Sequence, residues 1–162
     1  MFDTFSRAAS RVALMFSAFG LIAMTLIICW QVFARYVLHA APAWTEQAAL
    51  LLMLWFILFA AAAGVREGFH IQLTLLQDSL SPKRRLRLRQ ACHFLVFVFG
   101  VLMTYGGLGL TVETWSHTIP TLGLSRGVGY IPVFLAGLLI AVFALEHLIV
   151  ESKGREVKPL WN

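Results

Sequence analysis

Four long apolar stretches separated by short polar ones dominate the chain. Residues 12–34, 47–65, 92–112 and 128–145 contain no Asp, Glu, Lys or Arg, and the last continues past Glu146 to about residue 150. A helix rises about 1.5 Å per residue and needs about 20 apolar residues to cross a hydrocarbon core about 30 Å thick. The pattern therefore predicts four transmembrane helices at residues 12–34, 47–65, 92–112 and 128–150. The first run is longer than the roughly 7–15 apolar residues of a cleaved signal and has no small-x-small site after it, so it reads as a retained anchor. The connecting pieces are too short for a separate soluble domain. Residues 1–162 are expected to form one all-α integral membrane domain.

The segment 66–91 between the second and third runs has its own periodicity. Wound as a helix, it places Phe69, Leu73, Leu76 and Leu80 within about 60° of one another, with His70, Thr74, Gln77 and Asp78 to one side. A lone strand at a bilayer surface would leave its backbone groups unsatisfied. An amphipathic helix lying in the interface is the expectation, with the four apolar residues turned into lipid or against a partner. Ser81-Pro82 then restarts the chain, Ser as N-cap and Pro at the first helical position.

Composition agrees with this layout. Of the residues, 59% are apolar and 13% charged, against about 25% charged in an ordinary soluble domain. Lys and Arg resist translocation out of the cytoplasm. Arg7 and Arg11, the six from Arg66 to Arg89, and Lys153, Arg155 and Lys158 put 11 of the 13 on one side of the four-span layout, with Arg35 and Arg126 on the other. Both termini and the 66–91 segment are thus predicted to be cytoplasmic. The net charge of +5 suggests polyanions, but the cluster Lys83, Arg84, Arg85, Arg87 and Arg89 sits where anionic lipid headgroups are, and membrane lipid rather than nucleic acid is the expected contact.

Candidate chemistry is sparse. Cys29 and Cys92 fall in opposite leaflets, too far apart for the roughly 5.5–6 Å between Cα atoms of a disulfide. Glu146 and His147 come nearest to a span interior, and Glu146 is read as a carboxylate reaching interfacial water or Lys153 and Arg155. No mid-span carboxylate or helix broken at mid-depth marks a transport path. His70, His93 and His147 share one end of the layout, which admits an alternative, a four-helix b-type cytochrome membrane subunit with bis-His haem. There is no phosphate-binding or hydrolytic motif, so neither an enzyme nor a resident cofactor is expected. In the outer hairpin, Arg35 closes one helix and Glu46 opens the next, each opposing the partial charge of its helix end, and Trp44 is an interfacial anchor. The segment 113–126 reads as a compact outer loop. Gly100, Gly106, Gly107, Gly109 and Gly137 are candidate sites of close helix approach.

Phe33-Ala34-Arg35-Tyr36, then Pro42-Ala43-Trp44-Thr45-Glu46, Trp55, Arg66 and His70-Ile71 strongly resemble the small permease (Q-type) subunit of tripartite ATP-independent periplasmic (TRAP) transporters. Ile119-Pro120-Thr121-Leu122-Gly123-Leu124-Ser125 and Tyr130-Ile131-Pro132 are similar to the outer loop and fourth-span entry of that family. The resemblance runs over about residues 32–137, with Gln47 where the family often has a second acidic residue. It implies a bacterial inner-membrane complex in which a periplasmic binding protein captures an organic-acid anion and a large (M-type) permease moves it with the sodium gradient. The small subunit would then be scaffold and anchor. Arg35, Trp44, Glu46 and Trp55, with the face formed by Phe69, Leu73, Leu76 and Leu80, are the expected assembly residues, and no residue is expected to bind substrate or metal.

Overall fold

A computed structural model of the chain describes residues 2–40, 42–68 and 82–152. It contains four helices: α1 (Phe2–Tyr36), α2 (Trp44–Arg66), α3 (Pro82–Glu113) and α4 (Ile131–Ser152). All four are long and apolar enough to cross a membrane. At about 1.5 Å per residue, α1 with 35 residues and α3 with 32 extend some 50 Å, so each exceeds a hydrocarbon core of about 30 Å. α1 begins ten residues before its charge-free run, carrying Arg7 and Arg11 in its first turns. The expected surface helix with Phe69, Leu73, Leu76 and Leu80 lies outside the described residues.

Local chemistry accounts for the helix ends. α2 starts just after Pro42, whose carbonyl accepts from Thr45 Oγ1 at 2.8 Å, and Glu46 in its first turn faces the positive end of the helix dipole. It stops at Arg66, where Gly68 takes φ +77°, a left-handed conformation that costs glycine little. Pro82 occupies the first turn of α3, where a missing N–H leaves no gap.

α1 packs on α2, α2 on α4 and α4 on α3, so α4 is inserted between α2 and α3. The apolar core is formed by Ala62 and Val65 of α2 with Ala136, Ile140 and Phe143 of α4. α1 and α2 are joined at Ser17, whose Oγ lies 2.8 Å from Ala13 O and 2.9 Å from Phe56 O. α3 and α4 meet at three of the five expected glycines. A methyl group on Gly100 would fall 2.7 Å from Ala141 N, one on Gly107 2.6 Å from Phe134 N, and one on Gly137 2.7 Å from Thr104 N. Gly106 and Gly109 face open space. The buried positions of α3, His93, Gly100 and Gly107, recur every seven residues and form a single seam.

At the hairpin end, Thr118–Ile119 (β1) pairs antiparallel with Leu124–Ser125 (β2), and Gly123 at φ +67° closes the turn. Ser125 then caps the 3₁₀ turn Arg126–Gly129, accepting from Gly127 N at 3.1 Å and donating to Trp115 O at 2.6 Å. Trp55 Nε1 donates to Val128 O at 3.2 Å, tying the middle of α2 to this turn. Trp55→Phe removes one half-buried donor and strands a carbonyl, so it should destabilise the full chain by about 1 kcal/mol. Thermal unfolding in detergent measures this, and an unchanged midpoint would mean the bond contributes nothing.

Candidate functional site

The notable chemistry of the molecule lies where the two terminal helix ends meet, the N-terminal end of α1 and the C-terminal end of α4. Arg66, the last residue of α2, is the largest fully buried side chain among the described residues. Its Nε donates to Ser6 Oγ at 2.8 Å and lies 3.6 Å from Glu146 Oε2, and its Nη1 donates to Glu67 Oε1 at 3.3 Å. The Ser6 hydroxyl donates to Glu146 Oε2, and Ser10 Oγ donates to Glu67 Oε1 at 3.2 Å. The guanidinium is flanked by two carboxylates, and two serines four residues apart on one face of α1 complete the cage. A charge left alone in such a place would cost several kcal/mol, and these contacts offset that cost.

A second group adjoins the first. Glu151 Oε1 accepts from Arg89 Nε at 3.0 Å and Nη2 at 2.6 Å, and lies 3.2 Å from His93 Nε2. His93 stacks on His147, ring centroids 4.6 Å apart and planes 7° from parallel. His147 Nε2 is 3.0 Å from the Arg66 carbonyl, which only accepts, so Nε2 carries the proton. Through Arg66 the two groups are continuous, and all four helices contribute: Ser6 and Ser10, Arg66 with its C-cap Glu67, Arg89 and His93, Glu146, His147 and Glu151.

Glu146 thus departs from its expected position. It is 2% exposed and turned inward to Ser6 and Arg66, because burial against a guanidinium satisfies it better than a reach to the surface. Arg89 likewise turns to Glu151, whereas Arg84, Arg85 and Arg87 are exposed. Of Lys83 the structure describes the backbone, in the first turn of α3.

His93, His147 and Glu151 bring donor atoms within 4.8 Å of one another. Their present arrangement suits a hydrogen-bonded stack better than an ion, since Arg89 already holds Glu151 and parallel rings do not aim their in-plane lone pairs at one point. Face-to-face imidazoles also leave no room for a porphyrin between them, which removes the geometric basis of the haem alternative for this pair; His70 lies outside the described residues.

Arg35, Trp44 and Glu46 are exposed at the opposite end of the bundle. Arg35 and Glu46 line one groove between α1 and α2, and no ion pair joins them. The structure does not bring these residues to the buried network, which sequence reading missed. The available signal was the i, i+4 spacing of Ser6/Ser10, Arg89/His93 and His147/Glu151 at the ends of apolar helices.

The profile of the family described as tripartite ATP-independent periplasmic transporters, DctQ component, matches residues 24–154. The chain belongs to this family. It is 28% identical over 127 residues to the sialic acid TRAP transporter small permease protein SiaQ of Vibrio cholerae, covering 78% of this chain and 73% of that protein. Over 126 residues it is 22% identical to a putative TRAP transporter small permease protein of Haemophilus influenzae, covering 78% of each. With the C4-dicarboxylate TRAP transporter small permease protein DctQ of Rhodobacter capsulatus it shares 28% identity over 105 residues, 64% of this chain and 46% of that one. The protein is therefore a TRAP transporter small permease subunit, a multi-pass membrane protein whose relatives are transporter subunits. The DctQ match takes in Arg66, Glu67, Arg89, His93, Glu146, His147 and Glu151, while Ser6 and Ser10 precede it.

Proposed function

We propose that this DctQ subunit is the static membrane frame of a sodium-driven, binding-protein-dependent importer of an organic-acid anion in the bacterial inner membrane. Its partners in this reading are a large permease subunit that carries substrate and ion, and a periplasmic binding protein that delivers the anion. The observation that carries the reading is where the polar chemistry lies. In the described residues the charged side chains sit at helix ends, and the largest buried group of them is spent on holding the helices to one another. A transport path needs polar groups at mid-depth. A frame needs many anchored helices with fixed mutual positions, which the order α1, α2, α4, α3 and the Arg66 network supply.

The 11 Lys and Arg on one side favour cytoplasmic termini, which would place the network at the cytoplasmic face and Arg35, Trp44 and Glu46 at the periplasmic face. Exposed apolar side chains such as Phe19, Leu95 and Tyr105 along α1 and α3 give the slab a broad surface for lipid and for the large subunit.

Affinity purification of the tagged full chain from its native host is the test. A large multi-span permease should co-purify in stoichiometric amount, and liposomes containing both subunits, supplied with the binding protein and a sodium gradient, should accumulate anion. Liposomes containing this chain without the permease should not. Uptake by the chain alone would overturn the frame reading.

A further inference from the structure

The groove between α1 and α2 at the hairpin end combines an apolar floor with two opposite charges at its mouth. Met24, Ile28, the polar Gln31 and Arg35 come from α1, Glu46 and Met53 from α2, and the space between them is about 330 Å³. The α1 residues share one face of the helix, and the 11 steps from Met24 to Arg35 rise about 16 Å, close to half of a hydrocarbon core of about 30 Å. The groove is thus one leaflet deep, with its charges at headgroup level. Arg35 and Glu46 are both exposed, line the same cleft and make no ion pair with each other.

We propose that this groove binds a phospholipid whose headgroup carries a phosphate and a primary ammonium, one acyl chain lying along Met24, Ile28 and Met53. A guanidinium holds phosphate oxygens in a two-pronged, charge-assisted fork. The Glu46 carboxylate accepts hydrogen bonds from the ammonium. A phosphatidylglycerol headgroup offers Arg35 the same phosphate but gives Glu46 no cation and adds like-charge repulsion. Phosphatidylcholine offers a cation without N–H donors. The two side chains together therefore select phosphatidylethanolamine-type headgroups, whereas either alone would not. Fixing a lipid here would fill the gap between α1 and α2 at the end of the molecule where the described residues form no buried polar network.

The full chain, stripped of lipid in detergent and titrated with phosphatidylethanolamine, phosphatidylglycerol or phosphatidylcholine of identical acyl chains, tests this by native mass spectrometry. One phosphatidylethanolamine should bind about tenfold more tightly than either competitor, the equivalent of one charge-assisted hydrogen bond. Glu46→Gln should bring the three affinities together. Arg35→Gln should weaken all three, and Arg35→Lys, which keeps the charge and loses the fork, should fall between. Gln47→Ala, outside the groove, should change nothing, and circular dichroism confirms that each variant is helical. Equal affinities in the wild type, or a preference that survives Glu46→Gln, overturns the proposal. So does loss of the bound lipid when the large subunit is added, which would assign the groove to a partner helix.

Discussion

Arg66→Met should be the most damaging single substitution in this chain. The side chain is 1% exposed and bonded to Ser6 of α1, Glu67 just after α2 and Glu146 of α4. Methionine has a similar reach and no charge, so the variant leaves two buried carboxylates facing one another without the guanidinium between them. Breaking a buried ion pair by removing one partner costs about 3–5 kcal/mol, mostly the penalty for the charge left behind. That is a large part of the roughly 5–15 kcal/mol that holds a domain together. The expected result is a sharp drop in the unfolding midpoint and in the yield of monodisperse protein. A control separates lost charge balance from lost packing: Arg66→Met combined with Glu146→Gln should recover a good part of the stability, because one orphaned carboxylate becomes a neutral amide. If the single variant is as stable as wild type, the network is not what holds α1, α2 and α4 at this end. If the double variant is worse by the sum of the two singles, the guanidinium and carboxylate do not interact.

The four helices were legible because hydropathy is additive: a run of about 20 uncharged residues declares itself without knowledge of its neighbours. The network was not, because its members are polar residues at the edges of those runs, where solvent, lipid headgroup and a buried partner are equally available on hydropathy alone. Glu146 illustrates this. Nothing next to it in sequence distinguishes a carboxylate turned to water from one turned to Arg66, 80 positions earlier. The partner is visible only once α2 and α4 are packed. Arg66 had the converse difficulty, falling one position past an apolar run and reading as the first cation of a loop. The ribbon of β1 and β2 is two residues per strand, too short for alternation to register, and Gly123 was its one local hint. For the family, most of the residues that carried the resemblance lie at the hairpin end; Arg66 was among them, but as an isolated cation, without the partners that hold the fold together at the other end.

The glycines offer a prediction in which the sign differs between two chemically identical substitutions. Gly106→Ala adds a methyl group in open space, and because alanine loses less entropy than glycine on entering a helix, it should stabilise the full chain by up to about 1 kcal/mol. Gly137→Ala adds the same methyl group 2.7 Å from Thr104 N, 2.8 Å from Met103 Cβ and 2.9 Å from Gly100 O, all of them atoms fixed to the backbone of α3. No side chain can rotate away, so α3 and α4 must separate, at about 1–3 kcal/mol for the overpacking. Helix propensity works the other way by up to about 1 kcal/mol and is too small to reverse the result. The displacement also propagates, because the Arg89–Glu151 pair and the His93–His147 stack bridge the same two helices at the terminal end. Cys92, half-buried one residue before His93 on α3, reports it: in Gly137→Ala a maleimide should label this thiol faster than in wild type, while in Gly106→Ala the rate should not change. Equal shifts in stability for the two variants would mean that the α3–α4 interface is soft at Gly137 and that the backbones are not in contact there.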